Sequence, residues 1–81
     1  MDIELSNEAV RQYKRLNEPD LSRITAAIDK LEREPPEGDI KRLQGKDGYR
    51  VRLGRYRIIF DLEPDRVYIY KIVPRGKAYK E

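Results

Sequence analysis

Three arginines, Arg50, Arg52 and Arg57, lie close together in a stretch whose spacing gathers their side chains on one side. Tyr49-Arg50-Val51-Arg52-Leu53 and Tyr56-Arg57-Ile58-Ile59-Phe60 are rich in aromatic and β-branched residues and read as two β-strands. With Gly54-Arg55 as a two-residue hairpin loop, Leu53 faces Tyr56, Arg52 faces Arg57 and Arg50 faces Ile59. A period of two then puts Tyr49, Val51, Leu53, Tyr56, Ile58 and Phe60 on one face and the three arginines on the other. Like charges directly opposed on neighbouring strands are destabilising, by a few tenths to about 1 kcal/mol. The cluster therefore suggests an anion, and phosphate suits the guanidinium fork best. The alternative is a solvated strand face whose charge is absorbed by nearby acids.

The rest of the inventory limits the chemistry. The chain has no His and no Cys, so neither a zinc site nor a disulfide is expected. Without His, proton transfer must fall to another group. The net charge of +3 conceals a segregation. Residues 1–40 carry a net −4, residues 41–57 a net +6, residues 58–70 a net −2 and residues 71–81 a net +3. Positive charge clustered in this way is a footprint for a polyanion, most often nucleic acid.

The elements that must position the arginines are legible in outline. Ile3 and Leu5 alternate with Asp2 and Glu4, enough for one short strand. Ser6 suits an N-cap, with Glu8 in the first turn where the helix dipole favours an acid, and Ala9, Val10, Tyr13 and Leu16 share a helical face. Asn17 is expected to cap a second helix, with Asp20 in a capping-box-like position. Leu21, Ile24, Ile28 and Leu31 form its apolar seam, with Ala27 beside them. Pro35-Pro36 ends that helix. Glu37 to Lys46 reads as a loop into the hairpin. A turn at Glu63-Pro64-Asp65-Arg66 leads to a third strand, Val67 to Val73, stopped by Pro74. That strand is apolar on both sides, with Val67 and Ile69 against Tyr68, Tyr70 and Ile72, so one of its faces is a candidate surface for a protein partner.

The order strand, helix, helix and three-stranded meander predicts an α+β domain over residues 1–81, with the helices on one face of a mostly antiparallel sheet. Val51, Leu53, Ile58 and Phe60 should face the helices. Nothing resembles a membrane span or a signal peptide, and a cytoplasmic protein with no membrane partner is expected.

The phrase Leu43-Gln44-Gly45, the run Tyr49 to Phe60 and the ending Pro74-Arg75-Gly76-Lys77-Ala78-Tyr79 resemble the RelE/ParE superfamily of toxins from toxin–antitoxin modules. The likeness covers essentially the whole chain and is most specific over residues 43–80. Resemblance to the RelE branch implies a ribosome-dependent endoribonuclease that cuts mRNA in the A site. It also implies silencing by a cognate RelB-like antitoxin, and no cofactor or metal. The family's active patch falls on Arg50, Arg52, Arg57, Arg75 and Tyr79. Lys46, Arg55 and Lys77, basic residues nearby in sequence, are expected as further RNA contacts. Such a patch suits cleavage by the RNA's own 2′-hydroxyl, because fixed guanidinium groups stabilise charge building on a five-coordinate phosphorus. Tyr79 could stack on a base.

The chain departs from the RelE pattern in carrying Arg at both Arg50 and Arg52, where Lys is often found. Arg is a poor general base. Lys46, Lys77 and Tyr79 are the alternatives for that role. No Glu/His pair of the YoeB type is visible, and no helix is expected after the meander. Two other functions stay open: a ParE-like toxin that poisons DNA gyrase, and a degenerate member that only binds its antitoxin or nucleic acid.

Overall fold

A computed structural model describes residues 1–74. Five strands and two helices follow in the order β1 (Asp2–Leu5), α1 (Asn7–Lys14), α2 (Asp20–Leu31), β2 (Ile40–Arg42), β3 (Tyr49–Leu53), β4 (Tyr56–Leu62) and β5 (Arg66–Pro74). The sheet order is β1-β5-β4-β3-β2. Only β1 runs parallel to its neighbour, β5; the other three pairings are antiparallel. This is the expected α+β arrangement.

The hairpin register is the one that alternation predicts: Arg50 pairs with Ile59, Arg52 with Arg57 and Leu53 with Tyr56. Gly54 turns the chain at φ +55°, a conformation in which a Cβ would be strained, at the first central position that a II′ connection reserves for Gly. The helix-facing side holds the core. Val51, Ile58, Phe60, Val67, Ile69 and Ile72 are buried there with Ala9 of α1 and Ile24 and Leu31 of α2, while Leu53 packs at the margin.

Two sequence expectations about the elements need correction. Asn17 does not cap α2, which begins at Asp20 with Pro19 at the cap position. The Ser22 amide of the first turn is met by the Glu18 carboxylate at 3.0 Å, which also accepts from the Ser22 hydroxyl at 2.8 Å. Residues 37–46 are also not simply a loop. Ile40–Arg42 form β2, three residues held by pairing with Tyr49–Val51 of β3. By contrast, Ser6 caps α1 as expected, its Oγ accepting from the Ala9 amide at 3.0 Å.

A β-bulge explains why the last strand reads as apolar on both sides. Ile59 pairs with Lys71 but Phe60 pairs with Ile69, leaving Tyr70 as an extra residue. The inserted residue reverses the alternation, so Val67, Ile69 and Ile72 all reach the core despite their mixed parity. The bulge is held from α1: Ser6 Oγ donates to the Tyr70 carbonyl at 2.7 Å, and the Gln12 side-chain oxygen accepts from the Ile72 amide at 2.7 Å. Tyr13 and Thr25 share a hydroxyl hydrogen bond of 2.6 Å that ties α1 to α2.

Candidate functional site

Because Arg52 and Arg57 are cross-strand partners and Arg50 is two residues from Arg52, all three side chains leave the sheet on the face turned away from the helices. Their registered neighbours there are Lys41 of β2, Ile59 of β4 and Val73 of β5. None of these is acidic.

Burial sets this face apart from an ordinary solvated strand. Arg50 is 6% exposed and Arg57 only 7%, while Arg52 is intermediate. Arg57 is thus enclosed without being part of the apolar core. Guanidinium groups are rarely so enclosed without charged or hydrogen-bonding company. The Arg52 Nε is buried too, and has no hydrogen-bond acceptor among the described residues. Fixed, partly desolvated positive charge of this kind interacts more strongly with an anion than the same charge in water.

Beside Arg50 lies a polar concavity of about 590 Å³, lined by Lys41, Arg42, Gln44 and Arg50. Lys41, Arg42 and Gln44 are exposed, so the concavity has an accessible rim and a buried arginine at its side. The Arg42 guanidinium lies 5.7 Å from the centroid of the Tyr49 ring, which itself stacks on Phe60 at 5.7 Å. Sequence reasoning missed Lys41, Arg42 and Gln44 as site residues because it read this segment as a loop. The pairing of Lys41 with Arg50 becomes visible only once β2 is recognised.

The other residues named from sequence are spread more widely. Arg55, at the hairpin tip, reaches to the start of α2, where its Nη2 donates to Asp20 Oδ2 at 2.9 Å. That hydrogen bond, and then the charge of Asp20, hold the Arg55 guanidinium above its ordinary value. Lys46 is exposed in the β2–β3 connection, at the opposite end of β3 from Arg55. Arg75, Lys77 and Tyr79 lie outside the described residues.

The far end of the same sheet face is acidic and aromatic. The Tyr68 and Tyr70 rings meet edge-to-face with centroids 4.8 Å apart. Tyr70, 42% exposed, donates to Asp61 at 3.4 Å. Arg66 bonds Glu63 at 2.6 Å, also pairs with Glu4, and lies over the Tyr68 ring. The apolar surface expected on this strand is therefore a tyrosine pair set among ion pairs.

Residues 3–79 match the model of a family described as the ParE toxin of type II toxin–antitoxin systems, parDE. The chain belongs to the RelE/ParE toxin superfamily. It is a toxin of the type II toxin–antitoxin class. The toxin is similar to the RelE of an archaeal RelE–RelB complex from Pyrococcus horikoshii OT3, at 30% identity and a TM-score of 0.77, covering 94% of this chain and 96% of that one. A RelB–RelE complex from Methanococcus jannaschii matches at 22% identity and a TM-score of 0.76, covering 94% of each chain. The isolated E. coli RelE matches at 15% identity and a TM-score of 0.76, covering 96% of this toxin and 89% of that one; these last two likenesses concern the fold. No curated protein sequence matches.

Proposed function

We propose that this toxin is a ribosome-dependent endoribonuclease that cleaves mRNA in the A site and thereby inhibits translation. The observation that carries the reading is the placement of Arg50, Arg52 and Arg57 on one sheet face, with Arg52 directly opposite Arg57 and two of the three buried. In the reaction, the 2′-oxygen of one nucleotide attacks its own 3′-phosphorus as its proton leaves to a base. The bond from phosphorus to the 5′-oxygen of the next nucleotide breaks, and that oxygen takes up a proton. The products are a 2′,3′-cyclic phosphate and a 5′-hydroxyl. Arg52 and Arg57 would bind the non-bridging oxygens, where charge grows most in the transition state. Arg75 and Tyr79 would complete the site, and Lys46, Lys77 and Tyr79 are the groups open for the proton at the 2′-oxygen. Arg55, whose described contact is with Asp20, would serve RNA only at the margin.

The expected partner is a RelB-like antitoxin, the ribosome and mRNA are the targets, and the cytoplasm is the setting. The similar archaeal toxins stand in complexes with RelB, which supports the first of these. Among the described residues, no helix is long and apolar enough to cross a membrane. A second reading, poisoning of DNA gyrase without chemistry of the toxin's own, is favoured by the ParE description of the matching family. A translation reaction decides between them. Ribosome-dependent cuts mapped by primer extension support the nuclease; intact mRNA together with trapped gyrase–DNA complexes supports the alternative.

A further inference from the structure

The nuclease reading leaves the rim of the concavity beside Arg50 without a role. Lys41 is registered opposite Arg50, so β2 adds a cation beside the three arginines on this face. The two side chains stand on adjacent strands as like charges in a directly opposed pair, an arrangement that a bound anion relieves. Along β3, Arg50 and Arg52 are two residues apart, which separates the Lys41–Arg50 row from the Arg52–Arg57 row by roughly 7 Å. That distance is comparable with the step between consecutive phosphates of an extended single strand. The rows are parallel to each other and perpendicular to β3.

We propose that Lys41 is an RNA-positioning residue: with Arg50 beside it, it binds the phosphate adjacent to the one held by Arg52 and Arg57. The RNA backbone then runs along β3, past the β2 edge, instead of across the sheet towards β5. Access agrees with this path. Lys41 and Gln44 are exposed at the rim of the 590 Å³ concavity, whereas on β5 this face presents the half-buried Lys71 and Val73, with Tyr70 and Tyr68 nearer the start of that strand. Arg42 is a weaker choice for this contact, because its register partner is Tyr49, on the helix-facing side, and its guanidinium lies over that ring. A groove that tracks a single strand by successive phosphate contacts is the usual form of sequence-tolerant binding.

The inference rests on the nuclease reading, and one experiment separates the two. A labelled 2′-O-methyl RNA decamer, which the toxin cannot cut, is titrated with free toxin at several salt concentrations and followed by anisotropy. Lys41→Gln should weaken binding several-fold at low salt and reduce the slope of log affinity against log salt by about 0.7, the loss of one phosphate contact on a single strand. Lys41→Arg should restore both, and Arg52→Ala should weaken binding at least as much. An unchanged slope in Lys41→Gln beside a weakened Arg52→Ala overturns the assignment of Lys41 and leaves the nuclease reading standing. Unchanged binding in both variants overturns the RNA reading itself. Lys41 is exposed, so Lys41→Gln should unfold at the wild-type temperature.

Discussion

Arg52 and Arg57 oppose each other directly in the β3–β4 register, and Arg57 is buried. Two cations in that relationship weaken the hairpin unless something negative joins them. The hairpin is nonetheless central to the sheet, with β4 between β3 and β5.

Arg57 is therefore the most informative residue to change. Arg57→Ala should lower ribosome-dependent cleavage about 100-fold, the scale for losing one pre-organised charge stabiliser. Arg57→Lys should recover little, because an ammonium cannot make the two parallel bonds of a guanidinium. Burial means that Arg57→Ala can also disturb packing, so each variant is paired with a urea unfolding curve. Wild-type cleavage by either folded variant would remove Arg57 from the mechanism.

Arg55 should behave differently although it lies only two residues away. Its described partner is Asp20, at the start of α2. Arg55→Ala should change cleavage less than about 3-fold, since an exposed ion pair contributes little. The same primer-extension assay checks this, with Arg52→Ala as the contrasting variant. A loss in Arg55→Ala equal to that in Arg52→Ala would place the hairpin tip on the RNA.

The bulge at Tyr70 should depend on α1. Gln12 Oε1 accepts from the Ile72 amide, which lies beyond the end of β1, whose pairing with β5 stops at Leu5 and Ile69. Gln12→Leu should cost about 1–3 kcal/mol by leaving a partly buried amide unmet, while Gln12→Glu keeps an acceptor and much of the stability. Urea denaturation of the two variants measures the difference. Equal stability would show that the amide finds another acceptor.

Much of this architecture was legible because the hairpin announces itself. Alternation from Tyr49 to Phe60 around Gly54-Arg55 specifies the register residue by residue, and the helix seam at Ile24 and Leu31 is equally plain. What stayed hidden had physical reasons. Ile40–Arg42 is too short and too polar to show a period, and exists through its pairing with β3. The start of α2 differs from expectation because the side chain that reaches a first-turn amide is that of Glu18, not Asn17. The bulge was invisible because a strand that changes parity looks apolar on both sides. Burial of Arg50 and Arg57 could not be read from residues whose type argues for the surface. Among the site residues, Arg50, Arg52 and Arg57 do converge on one face, Lys46 and Arg55 sit at opposite ends of β3, and the concavity at Lys41 emerged only with β2.

Glu63 gives the fold a measurable acid sensitivity. The hydrogen bond from Arg66 holds its carboxyl below the ordinary value of 4.5. A carboxylate with a depressed folded value contributes stability that is present above its unfolded value and is lost as pH falls through the folded one. Glu63→Gln should therefore be less stable than the wild type at about pH 7, with the difference closing as pH falls below the ordinary carboxylate value of 4.5 and through the lower folded one. Unfolding midpoints across that range test it, and a difference that persists in strong acid would show that the contact is not ionic.

On the proposed nuclease reading, dependence on the ribosome would follow from the chemistry of the arginine face. Arg50, Arg52 and Arg57 are fixed cations that can neutralise a phosphate, and none is a useful base at neutral pH. The chain has no His to take the proton from the 2′-hydroxyl. In-line attack needs the 2′-oxygen, the phosphorus and the leaving 5′-oxygen nearly collinear, and an extended single strand does not hold that geometry by itself. Correct placement of reacting groups is worth several powers of ten in rate, so a partner that bends the mRNA supplies what the arginines cannot. Free toxin should accordingly bind naked RNA weakly, lose affinity steeply with salt, and cut it at least about 100-fold more slowly than the same RNA on programmed ribosomes. Gel assays with purified toxin, with and without ribosomes, make the comparison. Equal cleavage in both lanes would mean that the toxin alone sets the geometry, and the ribosome-dependent reading of its arginine face would fall.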